Sequence, residues 1–334
     1  MALEEKAATI LNTTLIRPAK FYINGFSNFP NATFYYFFLC FIYIMTVVGN
    51  GFLIAVIYLV KTLHTAKYMI VFSLALTDLC GSTALIPKVL DTFLFDRREI
   101  VYEACLSYMF FVSFFGSVQS WTLVTMAFDR FIAICFPLRY HSIVTKPATA
   151  AVLLLGWVLL LAAIGCMAGL IDRLSFCGSL VIQSFFCDHG PVFRLACNDT
   201  SLNFIIAYVI LTAVVFIPLI LIALTYVCIV IALSRIASRV ERLKALKTCT
   251  SHLILVAIFF LPVVGTNLAV ITYIHPNARI VNSTLTHTLP SLLNPIIYTL
   301  KTEEVMNSIR KLFKSLRNRL TNKLDPFITD VLTK

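Results

Sequence analysis

Long apolar runs alternate with short polar segments along this chain. Seven such runs predict helices, with approximate bounds at 34–60, 68–86, 104–127, 148–171, 202–233, 253–274 and 280–300. About 20 apolar residues are enough for a helix to cross the hydrocarbon core of a bilayer. A helix also satisfies its own backbone polar groups in lipid. The pattern therefore predicts an all-α membrane protein built as a seven-transmembrane helix bundle.

Composition and charge agree with this interpretation. The 334 residues are 59% hydrophobic and 13% charged, and a soluble domain has about twice that charged fraction. If the N-terminus is outside, 18 of the 27 Lys and Arg residues fall in the predicted inner segments and 8 in the outer ones. Cytoplasmic loops carry such an excess. The net charge of +11 therefore indicates contact with membrane lipids and argues against binding of nucleic acid.

The predicted organisation has three parts, an extracellular N-terminus over residues 1–33, the seven-transmembrane domain over 34–301, and a cytoplasmic tail over 302–334. The stretch Met1–Lys20 is polar and lacks the apolar core of a signal peptide, so the first span is expected to be an uncleaved anchor.

The tail carries a second pattern. Its apolar residues Ile309, Leu312, Phe313 and Leu316 share one helical face, and basic residues fill the other. This spacing predicts a short amphipathic helix on the inner leaflet. A solvated basic tail is the alternative.

Two kinds of outer-segment residue test the topology. Asn-x-Ser/Thr sequons, which predict glycosylation, occur at Asn12, Asn31, Asn198 and Asn282. All four fall on the side assigned as outside. The outer segments also hold Cys105, Cys177, Cys187 and Cys197. An even number in an oxidising compartment predicts two disulfides, and three pairings are open.

Polar residues inside the spans are the candidate functional groups, because charge in a membrane is costly and usually functional. Asn50, Asp78 and Asn294 lie in the first, second and seventh spans. They predict a polar cluster that acts as a switch, and a purely structural hydrogen-bond network is the alternative. Asp129 and Arg130 end the third span. From charge alone, simple anchoring at the lipid interface is an equal alternative.

These residues carry a resemblance to the rhodopsin-like (class A) G protein-coupled receptors. The ordered matches are Gly49-Asn50, Leu74 with Asp78, Asp129-Arg130-Phe131, Trp157, Pro218, Pro262 and Asn294-Pro295 with Tyr298. A narrower resemblance, to the odorant (olfactory) receptor family, covers roughly Gly49 to Leu300. It rests on the stretches Met126–Tyr140, Lys244–Leu253 and Pro290–Tyr298 and on the outer loop with Phe185-Phe-Cys-Asp188.

The chain departs from that family's pattern in a few places. Phe131 replaces a more common Tyr, and Gln119 stands where the family usually has Glu. The second difference weakens the case for a cation site shared with Asp78. Such departures suggest a divergent, fish-like member.

The resemblance implies a receptor, and neither an enzyme nor a cofactor- or metal-dependent protein. It would bind a small-molecule odorant from the extracellular side and activate a stimulatory (olfactory-type) heterotrimeric G protein to raise cyclic AMP. The expected location is the plasma membrane of an olfactory sensory neuron. The alternative is a non-olfactory class A receptor for a peptide or a lipid. An opsin is disfavoured because Thr288 occupies the position of its lysine, and an amine receptor because Val112 occupies the position of its acid.

The resemblance also implies the disulfides Cys105–Cys187 and Cys177–Cys197, and a ligand pocket between the third, fifth, sixth and seventh spans. The candidate ligand-binding residues are Val112, Ser113, Gly116, Ser117, Phe260, Val263, Val264, Asn267, Thr284 and His287. The small residues of the third span share one helical face. Close helix packing is their alternative role. No carboxylate is predicted at this depth, so a cationic ligand is disfavoured.

At the cytoplasmic side, the resemblance implies that Asp129 holds Arg130 at rest and that the sixth helix swings about Pro262 to free it. The predicted switch residues are Asp129, Arg130, Phe131, Tyr298, Asn294, Asp78 and Asn50. Arg242 stands where many class A receptors place an acid that locks to the arginine. We therefore expect a resting lock built differently, through Tyr298 or His252.

Overall fold

All seven apolar runs fold as long helices. The computed structural model describes residues 15–26, 32–236, 238–271, 276–301, 304–311 and 314. The helices are α1 (Ala32–Leu59), α2 (Ala66–Leu94), α3 (Tyr102–Cys135), α4 (Lys146–Gly169), α5 (Ser201–Ser234), α6 (Arg239–Ile271) and α7 (Pro276–Lys301). The helices α1 to α6 are long and apolar enough to cross a membrane. The helix α7 packs between α6 and α1, so the predicted seven-helix bundle is confirmed.

Several helices are longer than the apolar runs that predicted them. The run in α2 stops near residue 86, but the helix continues to Leu94. The run in α6 starts near residue 253, but the helix begins at Arg239. Polar residues beyond the lipid still gain backbone hydrogen bonds by continuing a helix. Hydrophobicity therefore marks the length in contact with lipid and not the length of the helix.

A small sheet, absent from the sequence prediction, covers the end of the bundle that carries the disulfides, called here the outer end. Its strands are β1 (Lys20–Ile23), β2 (Glu99–Val101) and β3 (Val181–Ile182), in the order β2-β1-β3. The central strand β1 runs antiparallel to β2 and parallel to β3. Three strands of two to four residues escape detection because periodicity needs a longer window.

The alternation along β1 explains how it holds this position. Phe21 and Ile23 point inward and are fully buried, whereas Lys20 is exposed and its Nζ lies 2.6 Å from Glu99 Oε2. The Phe21 ring packs edge-on against Phe176 of the outer loop, with centroids 5.2 Å apart. The N-terminal segment is therefore part of the outer hydrophobic core.

Two disulfides fix the outer loop between α4 and α5. Cys105 at the start of α3 is bonded to Cys187, with Cα atoms 5.5 Å apart. Cys177 is bonded to Cys197 within the loop, with Cα atoms 5.8 Å apart. These are the two pairings that the family resemblance implied. The first bond holds the loop against α3 and closes the outer end.

Prolines inside the helices free carbonyl groups, and neighbouring helices supply donors for two of them. Pro218 has no N–H for Val214 O, and Ser120 Oγ of α3 donates to that oxygen at 2.6 Å. Pro295 likewise has none for Ser291 O, and Asn50 Nδ2 of α1 donates to it at 2.9 Å. Proline removes the helical donor at i−4, and the bundle replaces it from outside the helix.

After α7 the chain is helical again over residues 304–311. Val305 is fully buried against the inner ends of α1 and α2. Glu304 accepts hydrogen bonds from Tyr68 Oη at 2.5 Å and from Lys67 Nζ at 3.2 Å. Ile309 is partly buried in the same cluster. The predicted apolar positions Leu312, Phe313 and Leu316 lie outside the described residues.

Candidate functional site

A cavity of about 440 Å³ lies near the outer end, between α3, α5, α6, α7 and the outer loop. Seven of the predicted ligand-binding residues line it: Val112, Ser113, Gly116, Ser117, Val263, Asn267 and His287. Apolar side chains form most of its wall, and a few polar groups are placed among them. This is the usual construction of a small-molecule site.

Three predicted lining residues do not face this cavity. Phe260, Val264 and Thr284 are absent from its wall. On α6 the cavity face runs through Phe259, Val263 and Asn267, four residues apart. Residues 260 and 264 are rotated from that face by about 100°, one residue's turn of a helix. The Thr284 side chain is buried and its hydroxyl donates to Ile280 O within α7.

The outer loop forms the roof of the cavity, and the sequence analysis did not assign it that role. Phe185 and Phe186 line the cavity and are almost fully buried. Asp188, His189 and Arg194 line it as well. The expectation of a wall without a carboxylate was therefore wrong, although the acid comes from the loop and is accompanied by an arginine. Loop residues carry no periodicity that would have revealed this position.

Burial sets the protonation of one roof residue. His189 is 4% exposed, and this burial lowers its pKa to about 4. Its Nε2 lies 3.5 Å from Asn203 Nδ2 of α5. At neutral pH the imidazole is therefore uncharged, and it contributes no positive charge to the roof.

Gln119 joins the cavity to the polar cluster below it. Its side chain is part of the cavity wall, and Nε2 donates to Asp78 Oδ1 at 2.7 Å and to Ser291 Oγ at 3.2 Å. Asn294 Nδ2 donates to Asp78 Oδ2 at 2.8 Å. Asn50 binds the Ser291 carbonyl and reaches Asp78 only through that residue. Amide and hydroxyl donors therefore surround the Asp78 carboxyl.

At the opposite, inner end, Asp129 lies next to Arg130, with Oδ2 3.5 Å from the guanidinium nitrogen Nη2. Tyr140 Oη donates to the other carboxyl oxygen of Asp129 at 2.7 Å. Burial is the main cause of a raised pKa of Tyr140, and the Asp129 charge adds to it. Phe131 packs edge-on against Phe136, at 5.7 Å between ring centroids. The arginine side chain is thus held beside its neighbour on α3.

His252 ties α6 to two other helices at this end. Its Nε2 lies 3.1 Å from Leu123 O of α3, and its Nδ1 lies 2.9 Å from Tyr226 Oη of α5. Tyr298 Oη of α7 donates to Met126 Sδ at 3.2 Å. These contacts connect α6 with α3 and α5, and α7 with α3, at the inner end.

Comparison with known proteins decides the family. The olfactory receptor family model matches residues 39–315. Olfactory receptor 1 of Rattus norvegicus is 36% identical over 84% of this chain and 89% of its own length. Olfactory receptor 51F2 of Homo sapiens is 34% identical over 95% of this chain and 93% of its own length.

The chain belongs to the olfactory receptor family.

The crystal structure of squid rhodopsin matches this olfactory receptor with a TM-score of 0.69 at 17% identity, covering 86% of this chain and 87% of rhodopsin. The likeness shows a rhodopsin-like seven-helix fold. The olfactory receptor is thus an odorant-type G protein-coupled receptor of multi-pass membrane topology, and not an enzyme.

One predicted glycosylation site of this olfactory receptor lies inside a helix. Asn282 lies within α7, and its Nδ2, the atom that a glycan would modify, donates to Pro262 O at 2.8 Å and to Thr266 Oγ1 at 2.8 Å. A glycan at Asn282 would have to break both of these contacts with α6. Asn198 is exposed in the outer loop, where its Nδ2 donates to Arg173 O at 2.9 Å, and its glycosylation stays a prediction. Asn12 and Asn31 lie outside the described residues.

Proposed function

We propose that this olfactory receptor binds a small odorant in the outer cavity and activates a stimulatory heterotrimeric G protein at the inner end. The observation that carries the proposal is the position of Gln119. It forms part of the cavity wall and also donates to Asp78 in the centre of the bundle. A ligand that contacts Gln119 therefore acts on the polar cluster that joins α2, α3 and α7.

The ligand side rests on the cavity residues. Val112 and Gly116 give α3 a smooth apolar face, and Ser113 and Ser117 add hydroxyl groups to it. Val263 and Asn267 face them from α6, and His287 from α7. A small, mostly apolar molecule fits such a wall, because it loses little hydration when it is buried there.

The signalling side rests on the contacts of α6. Outward motion of its inner half about Pro262 separates His252 from Leu123 and Tyr226. That motion exposes Arg130 to a G protein. A ligand shifts this equilibrium only by its differential affinity for the two states, and a coupling of about 1–3 kcal/mol changes affinity roughly 5- to 150-fold.

The proposal also covers the orientation of the receptor in the membrane and the cell in which it acts. The disulfide-bearing end faces the extracellular side, and the basic inner end faces the anionic lipids of the cytoplasmic leaflet. The plasma membrane of an olfactory sensory neuron is the expected location. The exposed Asn198 is the sequon that we expect to carry a glycan.

A cyclic AMP reporter assay tests the proposal. Cells that supply the stimulatory olfactory G protein would express this receptor and be exposed to a panel of volatile and water-soluble odorants. We expect concentration-dependent cyclic AMP from some of them, and none in cells without the receptor. Ser113→Val and Asn267→Ala are expected to change the order of potencies. Val264→Ala, on the face of α6 that is turned from the cavity, is the matched control. The proposal is contradicted if the receptor reaches the cell surface and no odorant of the panel raises cyclic AMP. It is also contradicted if both cavity variants keep the potency order.

A further inference from the structure

We propose that the cavity selects ligands with a hydroxyl group, and that this group donates a hydrogen bond to Nε2 of His287. The inference rests on the proposed function, because it names the ligand class of the same cavity. Two properties of the wall support it. Some of its polar atoms already have hydrogen-bond partners within the receptor, and others face the cavity.

The tautomer of His287 is fixed by its own helix. Its Nδ1 lies 2.8 Å from Ser283 O, and a carbonyl oxygen only accepts, so Nδ1 carries the hydrogen. An ordinary imidazole is neutral above about pH 6.5, which leaves a lone pair on Nε2. This nitrogen has no hydrogen bond to the residues that the structure describes. The ring lies 5.3 Å from the Phe186 ring and 6.4 Å from the Phe185 ring. His287 therefore presents an acceptor beneath an aromatic roof.

Several other polar side chains of the wall already donate hydrogen bonds to carbonyl oxygens of their own helices. Ser117 Oγ donates to Ser113 O at 2.7 Å. Asn267 Nδ2 donates to Val263 O at 2.9 Å, and Thr286 Oγ1 donates to Asn282 O at 2.9 Å. What these side chains offer to the cavity is mainly lone pairs. The helical part of the wall around His287 therefore offers mainly acceptors, whereas Arg194 adds donors from the roof.

An alcohol matches this wall better than other small odorants do. Its hydrogen satisfies His287, and its oxygen accepts from a wall hydroxyl such as that of Ser113 or Ser283. An ether, aldehyde or ketone has no hydrogen to donate and leaves the imidazole acceptor buried without a partner, which is costly. A carboxylate has lost its proton at neutral pH and therefore has no hydrogen to donate to His287. Sites built to bind a hydroxyl reject analogues that lack it.

The test uses pairs of molecules that differ in this one group. Octanol, menthol and benzyl alcohol are each compared with their methyl ethers, by the rise in thermal unfolding temperature of the purified full-length receptor. We expect at least one alcohol to stabilise the receptor, and its ether to need roughly 10- to 100-fold more ligand for the same rise. Stabilisation by no alcohol of the panel, or by alcohol and ether at equal concentration, overturns the inference.

Variants of α7 then locate the acceptor. His287→Phe keeps a ring against Phe185 and Phe186 but removes the lone pair, so the alcohol is expected to fall to the potency of the ether. His287→Gln restores a carbonyl acceptor and is expected to recover part of the preference. Thr288→Val, whose hydroxyl donates within α7 to Thr284 O, is the matched control and is expected to keep the alcohol-to-ether ratio. This ratio is measured within one preparation, so expression does not affect it. A full preference in His287→Phe overturns the inference.

The two proposals fail in different ways. Alcohol-selective stabilisation without a cyclic AMP response supports the hydroxyl inference and contradicts the signalling proposal. A cyclic AMP response of equal potency to alcohol and ether supports signalling and overturns the inference.

Discussion

Tyr226 on α5 and His252 on α6 are joined by a hydrogen bond of 2.9 Å, and their rings are parallel to within 3°. The other ring nitrogen of His252 faces Leu123 O of α3 at 3.1 Å. That nitrogen must carry a hydrogen, because a carbonyl oxygen only accepts. Tyr226 Oη also donates to Cys249 O of α6 at 3.2 Å. His252 and Tyr226 thus connect α3, α5 and α6 beside Arg130.

We expect His252→Ala to raise ligand-independent cyclic AMP. The substitution removes the two His252 bonds to α3 and α5, and two bonds of about 0.5–1.5 kcal/mol each shift the two-state ratio roughly 5- to 150-fold. The measurement is basal cyclic AMP at matched surface level. His141→Ala, in the exposed inner loop, is the control and is expected to leave basal cyclic AMP unchanged. A silent His252→Ala receptor at normal surface level contradicts the lock.

Arg130→Ala is expected to abolish the cyclic AMP response without abolishing ligand binding. The arginine is 15% exposed and lies beside Asp129 at the inner end, far along α3 from the cavity residue Ser113. Cyclic AMP and ligand-induced thermal stabilisation are measured on the same variant. Normal signalling at matched surface level supports the alternative of an interface anchor.

Cys105→Ser is expected to lower both surface level and ligand response. The bond to Cys187 holds the roof residues Phe185 and Phe186 over the cavity, and loss of a native disulfide costs about 2–5 kcal/mol. Cys166→Ser, at an exposed free cysteine of α4, is the control and is expected to behave as wild type. Non-reducing peptide mapping checks the pairing directly. Recovery of Cys105 linked to Cys177 or Cys197 contradicts it.

Gly156→Ala is expected to destabilise the contact between α3 and α4. A Cβ at this position would overlap the indole of Trp121, whose Nε1 donates to Val152 O at 3.1 Å. Gly165→Ala lies on the same helix, and its Cβ would be 4.0 Å from the nearest atom, in Phe110. Alanine otherwise favours a helix by about 1 kcal/mol over glycine. Thermal unfolding of the purified receptor should therefore show a loss for the first variant and no loss for the second.

Acid is expected to weaken the roof through His189. Burial lowers the pKa of His189 to about 4 in the folded receptor, against about 6.5 in the unfolded chain. Between these values the unfolded chain binds more protons, so stability falls as the pH decreases from 6.5 to 4, by about 3 kcal/mol at most. Unfolding temperatures between pH 7 and pH 4 measure this slope. His189→Gln is expected to flatten it, and an equal slope in that variant contradicts the assignment.

There are physical reasons why the sequence predicted some features of the structure and missed others. Long apolar runs predicted seven helices because lipid leaves a single chain segment few other forms. Small residues at helical spacing placed Ser113 and Ser117 on the cavity wall. The family resemblance misplaced Phe260 and Val264, because one residue of rotation separates the cavity face from its neighbour and an apolar run does not reveal that phase. Asp188 and His189 were missed because they lie in a loop, and no periodic pattern in the sequence indicates where a loop residue lies in the fold.

The sheet order β2-β1-β3 also has a consequence for how the receptor is made. The central strand β1 leaves the ribosome first, yet Phe21 pairs with Ile100 and Ile23 pairs with Ile182, residues synthesised much later. The earliest described residues therefore cannot complete the sheet until the loop between α4 and α5 has been synthesised. Such pairing between distant residues is slow to form. The sheet is therefore completed late although its central strand is made first. A receptor whose biosynthesis stops before residue 182 has Val101, the partner of Lys20, but lacks Ile182, the partner of Ile23 in β3.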